Sequence, residues 1–196
     1  WLDRGDKVDP GVPSILPSLP EGEAVDRLAM ARWMVSDDHP LTARGFVNRI
    51  WAQLFGTGIV ASLEEFGSTG SLPSHPALLD DLSVRFMGGM GWSLKSLLRE
   101  IVLSSTYRQT SKVPSGLEEK DAANRLLTRG PRNRLTAEMI RDQALFVSGL
   151  LSPKMYGPPV MPPQPEGVWR TVYNTASWKT AGGEDRFRRA LYTYCR

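Results

Sequence analysis

The stretch from His39 to Gly56, HPLTARGFVNRIWAQLFG, constrains the fold more than any other part of the chain. Its proline suits the first turn of a helix and its closing glycine suits a stop. On a helical wheel Ala43, Phe46, Val47, Ile50, Trp51 and Leu54 make one wide apolar face, yet Leu41, Gly45, Ala52 and Phe55 lie on the far side. Only Thr42, Arg49 and Gln53 are left as a solvent stripe. A helix apolar around most of its circumference must be enclosed by other elements, so the fold has to be built around this one. Arg44 and Asn48, one turn apart, fall between apolar positions. Burying either without a partner costs several kcal/mol, so the pattern predicts partners for both.

The elements that can enclose it read as helices. Residues 23–35 form a good helical composition ending at Ser-Asp-Asp-His-Pro. Ser74 is placed to cap a helix beginning at His75-Pro76, with Leu78, Leu79, Leu82 and Phe86 on its core face before Gly88-Gly89. Ser93 caps another, in which Leu94, Leu97, Leu98, Ile101 and Val102 share a face against Lys95, Arg99 and Glu100. After a polar loop over 109–120, the pattern predicts a short helix from Asp121 to Leu127. A longer one starts at Thr136, with Met139, Ile140, Ala144, Phe146 and Val147 inward.

Both ends differ in texture. Residues 1–22 carry four prolines and three glycines, which suits an extended lead-in. From Ser152 the chain turns Pro- and Gly-rich, as in GPPVMPPQPEGVWRTVYN. Residues 168–173 suit a short strand, and 186–194 suit either a strand or a helix. The class is therefore mainly α: an extended lead-in over 1–22 and a single irregular helical domain over 23–196. Its C-terminal part is loop-rich, with at most a small β element.

Composition narrows the function classes. No apolar run approaches the roughly 18 residues of a membrane span. The single cysteine, Cys195, excludes an internal disulfide framework and a Cys-x-x-Cys-His haem attachment, and two histidines make a histidine-rich zinc site unexpected. No metal site is expected. The net charge of +3 conceals an asymmetry: residues 1–123 carry 12 Lys/Arg against 16 Asp/Glu, and 124–196 carry 12 against 5. The basic half suits an anionic partner, but its arginines are interspersed with apolar residues, so nucleic acid is the least supported partner.

Five segments, HPLTARGFVNRIWAQLFGTGIV, EEFGSTGSLPSHPALLDDLSVRF, GWSLKSLLREIVLSSTYRQTS, NRLLTRGPRNRLTAEMIRDQALFVSG and GPPV, follow one another in order. Together they resemble the C-terminal domain of unknown function of planctomycete-type cytochrome c proteins. The resemblance covers nearly the whole chain, the lead-in included. It implies a large exported protein, periplasmic or at the cell surface, in which a haem-binding cytochrome c domain often precedes this one. The haem then belongs to that separate domain, and no cofactor is expected in this chain. The resemblance also implies that FRRALYTYCR leads into further helical structure, so the domain is expected to be incomplete at its C-terminus. It supplies no catalytic residues.

Among individual residues, Arg44, Asn48 and Arg49 have two readings. They form a buried polar site for a carboxylate, sulfate or sugar hydroxyl, or they tie loop carbonyls and a carboxylate to the core, which is the commoner use of buried polar groups. Arg134, Glu138, Arg141 and Asp142 place acids and bases within two helical turns. Asp142 or Glu138 is a candidate general base or a partner for Arg44, against the simpler reading of a solvated ion-pair face. His75 could serve as an acid or base near Asp80, but His39 and His75, each before a proline, more simply suit capping turns. Trp169, Tyr173 and Trp178, with Arg170 and Asn174, have the composition of a carbohydrate-stacking platform, although Pro-rich loops also use aromatics as their own small core. No phosphate loop, nucleophile elbow or metal signature is present.

Two functions follow as expectations. The first is a non-catalytic accessory or interaction module that holds neighbouring domains of its own polypeptide or a protein partner. The alternative is a carbohydrate-active enzyme or polysaccharide-binding domain using Trp169, Trp178 and the arginines. Candidate ligand-binding residues are thus Arg44, Asn48, Arg141, Asp142, Trp169 and Trp178.

Overall fold

The computed structural model describes residues 5–19, 22, 24–113, 115–117, 119–165, 167 and 178–194. Among them are six α-helices: α1 (Arg27–Met34), α2 (Pro40–Phe55), α3 (Pro76–Met87), α4 (Leu94–Leu103), α5 (Ser105–Arg108) and α6 (Ala137–Val147). Two isolated bridges, Ser152 with Arg188 and Val160 with Thr193, supply the β pairing of the described residues. The protein is mainly α. None of the described helices is long and apolar enough to cross a membrane. The chain divides into two compact units, Trp1–Asn133 and Arg134–Arg196.

In the first unit α2 packs against α3, and Val47, Trp51, Ile59, Leu79, Phe86, Leu97 and Ile101 form the buried centre. Aromatic rings line its edge: Phe46 stacks on Phe86 at 5.2 Å and Trp51 on Phe55 at 4.1 Å. The expected faces of α3 and α4 are largely those observed, since Leu79, Leu82, Phe86, Leu97 and Ile101 are all buried. Arg85 on α3 ties the two helices by pairing with Asp81 at 3.0 Å and with Glu100 of α4 at 2.9 Å. The apolar girdle of α2 is less complete than expected, because Leu41 and Phe46 are partly exposed.

Caps explain where the helices begin. The Asp26 carboxylate accepts from the Leu28 and Ala29 amides, so α1 starts at Arg27 rather than near residue 23. His39 is buried at the N-cap of α2, accepts from the Thr42 amide and stands edge-on to Trp33. The Trp33 indole in turn donates to the Pro17 carbonyl at 2.7 Å, which fastens the lead-in to α1. Ser93 caps α4 as expected. Ser74 does not cap α3: its hydroxyl donates to the Ile59 carbonyl, and His75 takes the N-cap position without a side-chain bond to the helix amides. Pro76 at the first helical position removes one donor that would need a cap.

The helix expected over 121–127 is absent, and the reason lies in Asp121. Its carboxylate takes the amides of Arg125 and Leu126, and the Arg129 guanidinium takes its carbonyl, so the bonds a helix would use are already committed. The chain instead makes a tight turn with Asn124 at φ 51° and Leu127 at φ 56°.

In the second unit α6 begins after Thr136 as expected, but the apolar residues expected to face inward are exposed. Met139 and Ile140 are 49% exposed, Phe146 73% and Val147 78%. Arg141, Asp142 and Leu145 are the half-buried positions instead. What packs on α6 here is loop backbone, Gly183–Phe187 and Ala190–Tyr192 forming 3-10 turns, and loop backbone needs charged and polar partners. The strand expected over 168–173 lies outside the described residues.

Candidate functional site

The polar pair of α2 has unequal fates. Asn48 is fully buried, its amide nitrogen donating to the Val60 carbonyl and its oxygen accepting from the Val60 amide, both at 2.9 Å. The side chain thus acts as a short strand that pairs with the loop after α2. Gly58 lies beneath it, where a Cβ would run into the Asn48 amide and the Val60 carbonyl. Arg44 is half-buried, its Nε lying 3.2 Å from the Asp80 carboxylate of α3 as an ion pair without hydrogen-bond alignment. The acid facing Arg44 is therefore Asp80, neither Glu138 nor Asp142. Arg49 pairs with Glu64 in solvent at 3.0 Å.

Arg141 and Asp142 are brought together in the second unit, but on backbone. Arg141 donates to the carbonyls of Arg188 at 2.7 Å and Arg186 at 3.0 Å, while Asp142 accepts from the Ala190 amide at 2.7 Å. Sequence reasoning missed the residue at the centre of this unit. Arg188 is 1% exposed, donates to the carbonyls of Tyr156 and Pro158, and lies 3.9 Å from the centre of the Tyr192 ring. Nothing in a run of three nearby arginines marks one as buried. Tyr156 is presented outward on left-handed backbone, φ 63°, with its amide bound by the Tyr192 hydroxyl and its ring 81% exposed.

Of the aromatic platform, Trp178 donates its indole N–H to the Pro162 carbonyl and approaches Tyr194 at 6.4 Å. Trp169, Arg170, Tyr173 and Asn174 lie outside the described residues.

A second group that sequence reasoning missed surrounds Asp121 in the first unit. This carboxylate is 5% exposed. Burial alone would push it up, but hydrogen bonds from the Leu126 amide, the Thr128 hydroxyl and the Arg125 amide, with the Arg129 charge, hold it below the usual carboxylate range. Asn124 bonds both the amide and the carbonyl of Arg129, and Gln109 reaches the Leu127 carbonyl at 2.7 Å. Left-handed backbone at a leucine costs about 1–2 kcal/mol, and these bonds are what hold it there. The readable signal was an Asp-x-x-Asn turn followed by closely spaced arginines.

This turn forms one wall of a cleft. A hollow of about 250 Å³ is lined by Phe55, Ile59 and Leu127 with Thr57, Ser74 and Arg125. An adjoining hollow of about 300 Å³ shares Phe55, Thr57 and Asn124 and adds Arg129 and Arg132. No carboxylate lines either hollow among the described residues. The Ser74 hydroxyl lies 3.0 Å from His75 Nδ1, but its one hydrogen is given to the Ile59 carbonyl, so the pair is not set as a nucleophile and its base. No group of three or more His, Cys, Asp or Glu among the described residues is placed to hold a metal ion. The cleft combines an apolar lining with arginine side chains at its edge.

A family model described as "PSD1: Protein of unknown function (DUF1553)" matches residues 26–196. No curated protein and no solved structure matches the chain.

Proposed function

The chain belongs to the PSD1 family of proteins of unknown function (DUF1553), and from that premise we propose that it is a non-catalytic module that holds neighbouring domains or a protein partner within a larger exported, cytochrome-type polypeptide. The observation that carries this reading is where the helix-borne polar side chains go. Asn48, Arg141 and Asp142 are all spent on the chain's own backbone, and Arg44 faces the carboxylate of Asp80. A scaffold uses buried polar groups in this way, to fix loops on helices. The apolar residues left outward on α6, Phe146 and Val147 above all, supply surface of the kind that partners cover. An extracytoplasmic setting, and haem held by a separate domain, rest on the resemblance alone.

Cross-linking and co-purification of the chain with the domains that accompany it in its polypeptide test the reading. Phe146→Ser and Val147→Ser are expected to weaken the association at unchanged fold. Turnover of a substrate by the chain alone would count against it.

A second reading, polysaccharide binding, is favoured by Tyr156. Its ring is exposed on strained backbone clamped by Arg188 and Tyr192, which is how a stacking surface for a pyranose ring would be held rigid. Titration with sulfated and uronic polysaccharides tests it: Tyr156→Gly should abolish binding while raising stability. An unchanged affinity in that variant ends the reading.

A further inference from the structure

We propose that the cleft of the first unit binds a small organic anion, a carboxylate or phosphate group joined to an apolar ring or chain, and that Arg125 recognises the charge. The site does not depend on the module reading. Arg129 is consumed by the carbonyls of Asp121 and Ala122, whereas the Arg125 guanidinium has no hydrogen bond and no ion pair among the described residues. A planar fork left unpaired at a cleft is ready for two oxyanion oxygens.

The segment that carries it is held in place. Asn124 and Leu127, on either side of Arg125 and Leu126, both have positive φ, and Asp121, Asn124, Gln109 and Arg129 lock the turn. Leu127 also packs against the core of the unit, so the turn covers the core and carries Arg125 at the same time. Here strain is kept, and what it fixes is the backbone of Arg125 at the edge of the hollow.

The hollow suits the rest of such a ligand. Phe55, Ile59 and Leu127 give it an apolar lining, and Thr57 offers a hydroxyl that bonds nothing else among the described residues. Its volume of about 250 Å³ exceeds the roughly 150 Å³ that accommodates benzene in a protein interior. Arg132, lining the adjoining hollow with no carboxylate among the lining residues, adds a positive charge that draws an anion in.

Calorimetric titration of the whole 196-residue chain with benzoate and with phenyl phosphate tests the site, with uncharged benzamide as control. At least one anion should bind at millimolar concentration or below, with benzamide at least tenfold weaker. Binding of benzoate alone identifies a carboxylate ligand, of phenyl phosphate alone a phosphate ligand, and of both a general oxyanion site. Arg125→Gln should weaken binding tenfold or more, and Lys95→Gln, on the solvent face of α4, should leave it unchanged. Ala61→Trp, which fills the hollow from its exposed rim, should block binding without relying on Arg125. Failure of both anions to bind, or binding that survives either Arg125→Gln or Ala61→Trp, overturns the proposal.

Discussion

Asn48 and Val60 exchange two hydrogen bonds of 2.9 Å, side chain to backbone, at a point where the asparagine has no solvent exposure and the valine almost none. A helix side chain thereby does the work of a strand edge, pinning the loop after α2 to the centre of the core. Removing it leaves a donor and an acceptor of Val60 buried and unpaired, each costing about 1–3 kcal/mol. Asn48→Ala is therefore expected to lower stability by about 2–4 kcal/mol in urea unfolding. Asn48→Asp should cost at least as much near neutral pH, because it buries a charge while losing the donor.

Asp121 makes a prediction about acid. Its folded pKa is lowered, so the stability it contributes is present in full above the unfolded value of about 3.9 and is lost as pH falls through the folded value. The urea midpoint should drop between about pH 5 and pH 2, more steeply in the native chain than in Asp121→Asn. That variant should also be less stable near neutrality, since an amide oxygen cannot replace two carboxylate oxygens that hold three residues. Parallel pH profiles of the two proteins would refute the assignment.

Arg141 tests the second unit. Its two bonds to the carbonyls of Arg186 and Arg188 are charge-assisted and bidentate, so Arg141→Ala should cost about 1.5–3 kcal/mol. Arg141→Lys should recover less than half of that, because an ammonium cannot span both carbonyls with one planar group. Hydrogen exchange locates the effect: the Ala190 and Ser152 amides should exchange faster, while the Val60 amide of the first unit keeps its protection.

Gly56 ends α2 at φ 85°, where a Cβ would strike the Asn133 side chain that donates to the Leu54 carbonyl at 3.1 Å. Gly56→Ala should destabilise by about 1–3 kcal/mol from backbone strain and this collision. Adding Asn133→Ala should give a double variant less damaged than the sum of the singles, because the collision is removed with the side chain. Strict additivity would mean that the two residues do not meet.

Much of the helical frame was legible in the sequence because helices announce themselves locally. Pro40 and Gly56 bound α2, Ser93 and Thr136 cap α4 and α6, and the apolar spacing of α3 and α4 picks out Leu79, Phe86, Leu97 and Ile101. The need for partners at Arg44 and Asn48 was also legible, since burial of such groups demands them. The proposed anion cleft was not: Arg125 stands in a run that reads as one more helix, and only the Asp121 carboxylate, by competing for the helical amides, turns that run into a strained wall.

By itself, then, the sequence determined the class, the helices α2, α3 and α4 and the need of Asn48 and Arg44 for partners. Periodicity and capping act over a few residues, and their energies are written in neighbouring side chains. The tertiary structure alone decided which carbonyl Asn48 meets, that Asp80 rather than Asp142 faces Arg44, that α6 turns its charged side and not its apolar side to the loops, and that Arg188 is the buried arginine. Those choices join residues from 12 to 48 positions apart, and which groups meet over such separations depends on the packing of the whole unit.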